Sequence, residues 1–112
     1  SESRYPIRRR KVSQTVIECL KKAGVEEAEV SVAVVGSRKI RGLNKKWRNL
    51  DEETTVLTFA AEESRDENGI LRIGDIVISY PQAREIAMDE GLTMDKAIEK
   101  LLVHGMNNLL NK

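Results

Sequence analysis

Apolar residues recur along this chain at two spacings, and the switches between them mark out the elements. Val12, Val16 and Leu20 fall at i, i+4 and i+8 with Ile17 alongside, so the pattern predicts a helix over 9–23 that Gly24 ends. Residues 28–35 (AEVSVAVV) change to a period of two. Val30, Val32 and Val34 face one way, but Ala33 and Val35 are apolar as well, which predicts a strand covered on both faces. Gly36 turns the chain, and Ser37 stands where an N-cap is needed. Ile40, Leu43 and Trp47 then give i, i+3 and i+7 of a short helix over 37–48, whose other face carries Arg38, Lys39, Arg41, Lys45 and Lys46.

The β-branched run 54–60 (TTVLTFA) predicts a second strand, and the acidic stretch 61–69 reads as a surface loop closed by Asn68-Gly69. Ile76–Ser79 predicts a third strand, with 70–73 as a short fourth before it and Gly74-Asp75 as the turn between them. Tyr80-Pro81 opens a helix with Pro81 at N1, a stripe of Ala83, Ile86 and Ala87, and Gly91 at its end. Thr93 caps a last helix over 94–110, with Ala97, Ile98, Leu101, Leu102, Gly105 and Leu109 on its apolar face. The expected class is therefore α+β, a small mixed and mostly parallel sheet of about four strands packed against about four helices. The 112 residues form one expected domain, with 1–7 fraying at its start.

Composition changes this picture little. Aromatics make up only 4% of the chain, so the core must rest on Val, Ile, Leu and Ala. No apolar run approaches the ~18–20 residues that span a bilayer, which excludes a helical membrane protein. The single cysteine, Cys19, rules out an internal disulfide framework and fits a reducing cytoplasm, and no secretory leader is expected. Charge adds more. Residues 1–48 hold 13 Lys+Arg against 5 Asp+Glu, a net of +8, and residues 49–112 hold 6 against 13, a net of −7. That asymmetry predicts either a basic face suited to a polyanion or basic and acidic elements paired across the fold.

The last helix carries the only histidine, His104, with Asn108 one turn later on the same face. This is the spacing at which a helix presents two metal ligands, but here the second is an amide. A lone helical histidine also reads as a partly buried imidazole hydrogen-bonded to backbone.

Four stretches taken together go further. Asn44-Lys45-Lys46-Trp47-Arg48, Thr54-Thr55-Val56-Leu57-Thr58-Phe59, Gly74-Asp75-Ile76-Val77-Ile78-Ser79 and Leu102-Val103-His104-Gly105 occur in this order. Together they resemble the YbeY family of bacterial endoribonucleases over roughly residues 28–110. The resemblance implies a metal-dependent, single-strand-specific endoribonuclease of 16S rRNA maturation and ribosome quality control. Its implied partners are single-stranded RNA or rRNA and the small ribosomal subunit, in the cytoplasm. The family's metal is zinc, held by three histidines. His104 matches the first ligand, Asn108 occupies the second position, and the third would fall after Lys112. Asn107 and Asn111 replace the family's leucine and glycine, and Thr55 replaces its aspartate. Stable zinc is therefore not expected on this chain, since catalytic zinc needs three protein ligands and an open position.

By the same resemblance His104 and Arg48 are the catalytic candidates, and Arg48, Lys45, Lys46 and Arg41 the RNA-binding ones. Arg48 reads either as a phosphate contact or as a helix-end cation. Lys45 and Lys46 read first as solvated charge, and Trp47 first as core with a base-stacking platform as the alternative. Asp75 reads as a turn or capping carboxylate. Three functions follow: a weakly active or inactive endoribonuclease, a non-catalytic RNA- or ribosome-binding module, or an engineered or shortened form of this fold.

Overall fold

The computed structural model describes residues 5–62 and 64–111. Among these residues four helices and three strands follow one another as α1 (Arg9–Lys22), β1 (Ala28–Val35), α2 (Ser37–Arg48), β2 (Val56–Ala60), β3 (Leu71–Ser79), α3 (Tyr80–Glu90) and α4 (Met94–Leu110). The α+β class and the helices agree with the sequence pattern. The sheet corrects it in two ways. It has three strands, in the order β1-β3-β2, and it is evenly mixed: β1 pairs with β3 in parallel, β2 with β3 antiparallel.

The strand count differs because Gly74-Asp75 is not a turn. β3 runs straight through it, with Glu29 opposite Arg72 and Val30 opposite Gly74, leaving Ile73 as the extra residue of a bulge. A glycine is needed at that point. Gly74 has φ +156°, and a Cβ there would run into the Phe59 carbonyl oxygen of the neighbouring strand. Asp75 consequently lies within β3, level with Ser31 and Phe59, and its carboxylate pairs with Arg72 at 3.2 Å.

The two faces of the sheet are covered unequally. Val32, Val34, Val56, Ile76 and Ile78 share one core with α1, α3 and α4. Seven residues of α4 are buried in it, including Leu102 and Met106 at 0% exposure, so this helix is the centre of the main layer. Gly105 lets α4 approach closely, since a Cβ would meet Ile76 Cγ2 at 3.0 Å. Successive strand residues point to opposite faces. Leu57 and Val77 therefore turn to the other side, where only α2 covers them through Ile40 and Leu43.

Helix ends follow from local chemistry. Thr93 Oγ1 accepts from the Lys96 N–H at 3.2 Å, the expected cap of α4. Ser79 Oγ accepts from Gln82 N–H and caps α3, so Tyr80 and Pro81 fill its first turn. Gly36, not Ser37, is the N-cap of α2, and no side chain caps it. At the start of the described chain Tyr5 stacks on Tyr80 with centroids 4.6 Å apart, and Ile7 packs against the core. Residues 5–7 are thus tied down where fraying is expected from sequence, and residues 1–4 lie outside the described residues.

Candidate functional site

The chemistry-bearing residues of α2 are presented by an unusual stripe. Ile40, Leu43, Asn44 and Trp47 fall at i, i+3, i+4 and i+7, the face a helix turns to its core. Ile40 and Asn44 are buried, but Trp47 at the far end is 61% exposed. The expectation that Trp47 belongs to the core is therefore wrong. The sheet ends beneath it at the edge strand β2, and the indole meets the Phe59 ring edge-on, with centroids 6.2 Å apart.

Asn44 entered the sequence reading only as part of a motif stretch, with no role of its own. Its Nδ2 donates to the Glu52 carbonyl oxygen at 3.0 Å. Two further bonds hold the same connection: Arg41 Nε to Asp51 Oδ1 at 2.8 Å and Gln82 Nε2 to Glu53 Oε2 at 3.0 Å. Asn49 closes α2 in the left-handed region at φ 58°, which asparagine tolerates better than most residues. The last turns of α2 are thereby tied to the 51–53 connection that leads into β2. An amide on an otherwise apolar helical stripe was the available signal for this role.

The cations divide into two kinds. Arg41 is committed to Asp51, and that bond, the Arg41 charge and the nearby Lys45 hold the Asp51 carboxyl below its ordinary value. Lys45, Lys46 and Arg48 are exposed and form no ion pair among the described residues. The Lys46 ammonium lies 5.2 Å from the centre of the Trp47 ring. A lowered carboxyl value means that this pair stabilises the fold above the ordinary carboxylate range. The contribution is lost as pH falls through the lowered value. If the three cations meet a polyanion, Asp51→Asn releases Arg41 to join them. Affinity for single-stranded RNA should then rise and the log–log salt slope steepen by about 0.7, one more phosphate contact. An unchanged slope in a salt titration would show that Arg41 does not face the RNA.

His104 stands on the other side of the sheet. It is exposed on α4, next to Gly105, whose approach is against Ile76 and Thr58. Asn108 is exposed one turn further on. Neither side chain forms a hydrogen bond or ion pair among the described residues, so the reading of His104 as a bonded, partly buried imidazole does not apply. No bond joins His104 to Arg48. What lies between them is β2, an edge strand that sends Phe59 toward Trp47 and Thr58 toward Gly105. Thr55, just before β2, accepts from the Ser79 N–H through its backbone oxygen.

The donor set of the described residues does not fit zinc. Among the described residues no three His, Cys, Asp or Glu side chains are placed to hold a metal ion, and the partner of His104 at helical spacing is a neutral amide. One imidazole and one amide oxygen fall short of the three protein ligands of catalytic zinc.

Fold and site define a small α+β domain with a cationic helix end beside an exposed aromatic pair, and a histidine-bearing helix across the sheet edge. The chain belongs to the YbeY family: residues 2–111 match the family described as Endoribonuclease YbeY. It is 34% identical over 110 residues to the endoribonuclease YbeY of Heliobacterium modesticaldum, an alignment covering 88% of this chain and 66% of that protein. With the Desulfitobacterium hafniense protein of the same name it shares 43% over 91 residues, covering 76% and 58%. The solution structure of TM1509 from Thermotoga maritima superposes with a TM-score of 0.62 at 26% identity, covering 90% of this chain and 63% of that one. The chain thus spans about three fifths to two thirds of the length of these relatives.

Proposed function

We propose that this chain binds single-stranded RNA at the end of α2, and that it hydrolyses RNA weakly or not at all in this form. The observation that carries the first half is the cluster Lys45, Lys46 and Arg48, exposed, without ion-pair partners among the described residues, and beside Trp47. Other exposed cations, such as Arg9, Arg10, Arg38 and Lys39, also form no ion pair among the described residues, and it is the company of the exposed Trp47 that sets this cluster apart as charge available to a phosphate backbone. The family supplies the polymer, since the relatives carry the name endoribonuclease. Arg48 is suited to phosphate because its guanidinium offers a planar fork of donors.

The second half rests on Asn108. With histidine there, α4 would present two imidazoles on one face, and with asparagine it presents one. His104 remains the residue at the metal position, and zinc the metal to test. Following the family resemblance, the biological target is 16S rRNA on the small ribosomal subunit, in the cytoplasm. No helix among the described residues is long and apolar enough to cross a membrane. The observation about Asn108 equally favours a non-catalytic RNA- or ribosome-binding module, which differs from a weak enzyme only in turnover.

One assay tests both halves. End-labelled single-stranded RNA is titrated with the purified chain at several salt concentrations, then incubated with added zinc or manganese. Expected are salt-dependent binding, no cleavage above background, and less than stoichiometric zinc by elemental analysis, rising in Asn108→His. Affinity indifferent to ionic strength would defeat the RNA reading. Metal-dependent cleavage that vanishes in His104→Ala would defeat the inactive one.

A further inference from the structure

We propose that the groove on the α2 side of the sheet is a nucleobase subsite, in which Trp47 stacks one base of a single strand while Lys45, Lys46 and Arg48 hold its phosphates. The inference rests on the RNA reading above and deepens it. α2 covers only part of this face. Beyond it a groove of about 1030 Å³ is left open, lined by Leu43, Trp47, Phe59, Ala33, Ser31 and Asp75 among others.

The placement of charge selects the occupant. Three cations belong to the last turn of α2, at the rim, whereas the carboxylate of Asp75, which pairs with Arg72, comes from the central strand and so lies on the floor. A nucleotide matches that order. Its phosphate is anionic and outside, its base is flat and apolar across its faces, and the amino and imino groups of its edge donate to acceptors such as Asp75 and Ser31. Asp75 already pairs with Arg72, but Arg72 is shared with Glu29, so two carboxylates face one guanidinium there. An acidic peptide would add to that surplus of negative charge, and a lipid tail would strip water from the Arg72–Asp75 pair and from Ser31.

The indole is held ready for stacking. Phe59 fixes its orientation by an edge contact, yet 61% of the residue stays exposed. The ammonium of Lys46 also lies over the ring, but it forms no ion pair among the described residues and so yields its place to a base without breaking one. Its charge then becomes available to the adjoining phosphate. A base inside a duplex offers only its edges, so stacking of this kind selects single strands.

Trp47 is the chain's one tryptophan, and its fluorescence therefore reports on this subsite alone. The test titrates the chain with a labelled oligoadenylate, an abasic ribose-phosphate oligomer of equal length and a duplex. Label anisotropy reads binding, and the indole reads stacking. Expected are quenching by oligoadenylate and none by the abasic oligomer or the duplex. Trp47→Ala should lose roughly tenfold or more in affinity for oligoadenylate but little for the abasic oligomer, with Trp47→Phe restoring most of the loss. If Trp47→Ala proves unfolded by circular dichroism, the parent's quenching and the Trp47→Phe affinities decide the matter. Oligoadenylate that binds without changing the indole, and equally well to Trp47→Phe and Trp47→Ala, overturns the subsite and leaves RNA binding intact. No binding of either single strand overturns the RNA reading, and the subsite with it.

Discussion

Gly74→Ala is expected to destabilise the chain by about 3 kcal/mol or more, a large share of the stability of a small domain. Two causes add. The backbone there has φ +156°, which side-chain-bearing residues rarely adopt, and the new methyl would overlap the Phe59 carbonyl oxygen and approach Ala60 Cα to 3.2 Å. Both obstacles are backbone atoms of β2, so neither yields by a rotamer change. Relief requires β2 to move away from β3, breaking the pairs Ala60–Gly74 and Phe59–Asp75. That movement carries Phe59 away from Trp47. A urea titration followed by tryptophan fluorescence should show a lower midpoint and a changed native emission together. A midpoint within about 0.5 kcal/mol of the parent, the ordinary range of surface substitutions, would mean that the bulge does not need glycine.

The second large effect concerns binding. Replacing Lys45, Lys46 and Arg48 together by glutamine should remove about three phosphate contacts. The log–log salt slope for single-stranded RNA should then fall in magnitude by about 2, from roughly 0.7 per contact. None of the three forms an ion pair among the described residues, and all are exposed, so the variant should keep the parent's unfolding midpoint. Arg48→Lys is the informative single change. It keeps the charge and loses the planar fork, so affinity should fall if the guanidinium grips a phosphate in bidentate fashion and stay level if it acts only as charge. A triple variant that binds with the parent's slope would place the RNA elsewhere on the molecule.

Much of this arrangement was legible in the residue pattern. The helices could be read because each has a regular apolar stripe and most have recognisable starts or stops, as with Thr93 before α4 and Gly91 after α3. The four motif stretches were enough for the family, since they preserve order and spacing even where single residues depart. The sheet was harder. Gly74-Asp75 has the composition of a turn, and only pairing to β1 and β2 on both sides keeps β3 extended through it. Trp47 was misread for a related reason. Helical periodicity says which side of α2 it lies on, but not that the sheet beneath that side ends at β2.

The candidate site divides along the same line. The sequence by itself determined the types of group present: a cationic helix end, one histidine, and an asparagine at the second ligand position. These are matters of identity and spacing along one element, which local geometry carries. Only the tertiary structure decided which cations are free, that Trp47 stands exposed over a groove floored by Asp75, and that His104 and Arg48 lie on opposite sides of β2. Those relations depend on contacts between elements far apart in the chain, and periodicity within one element contains no information about them.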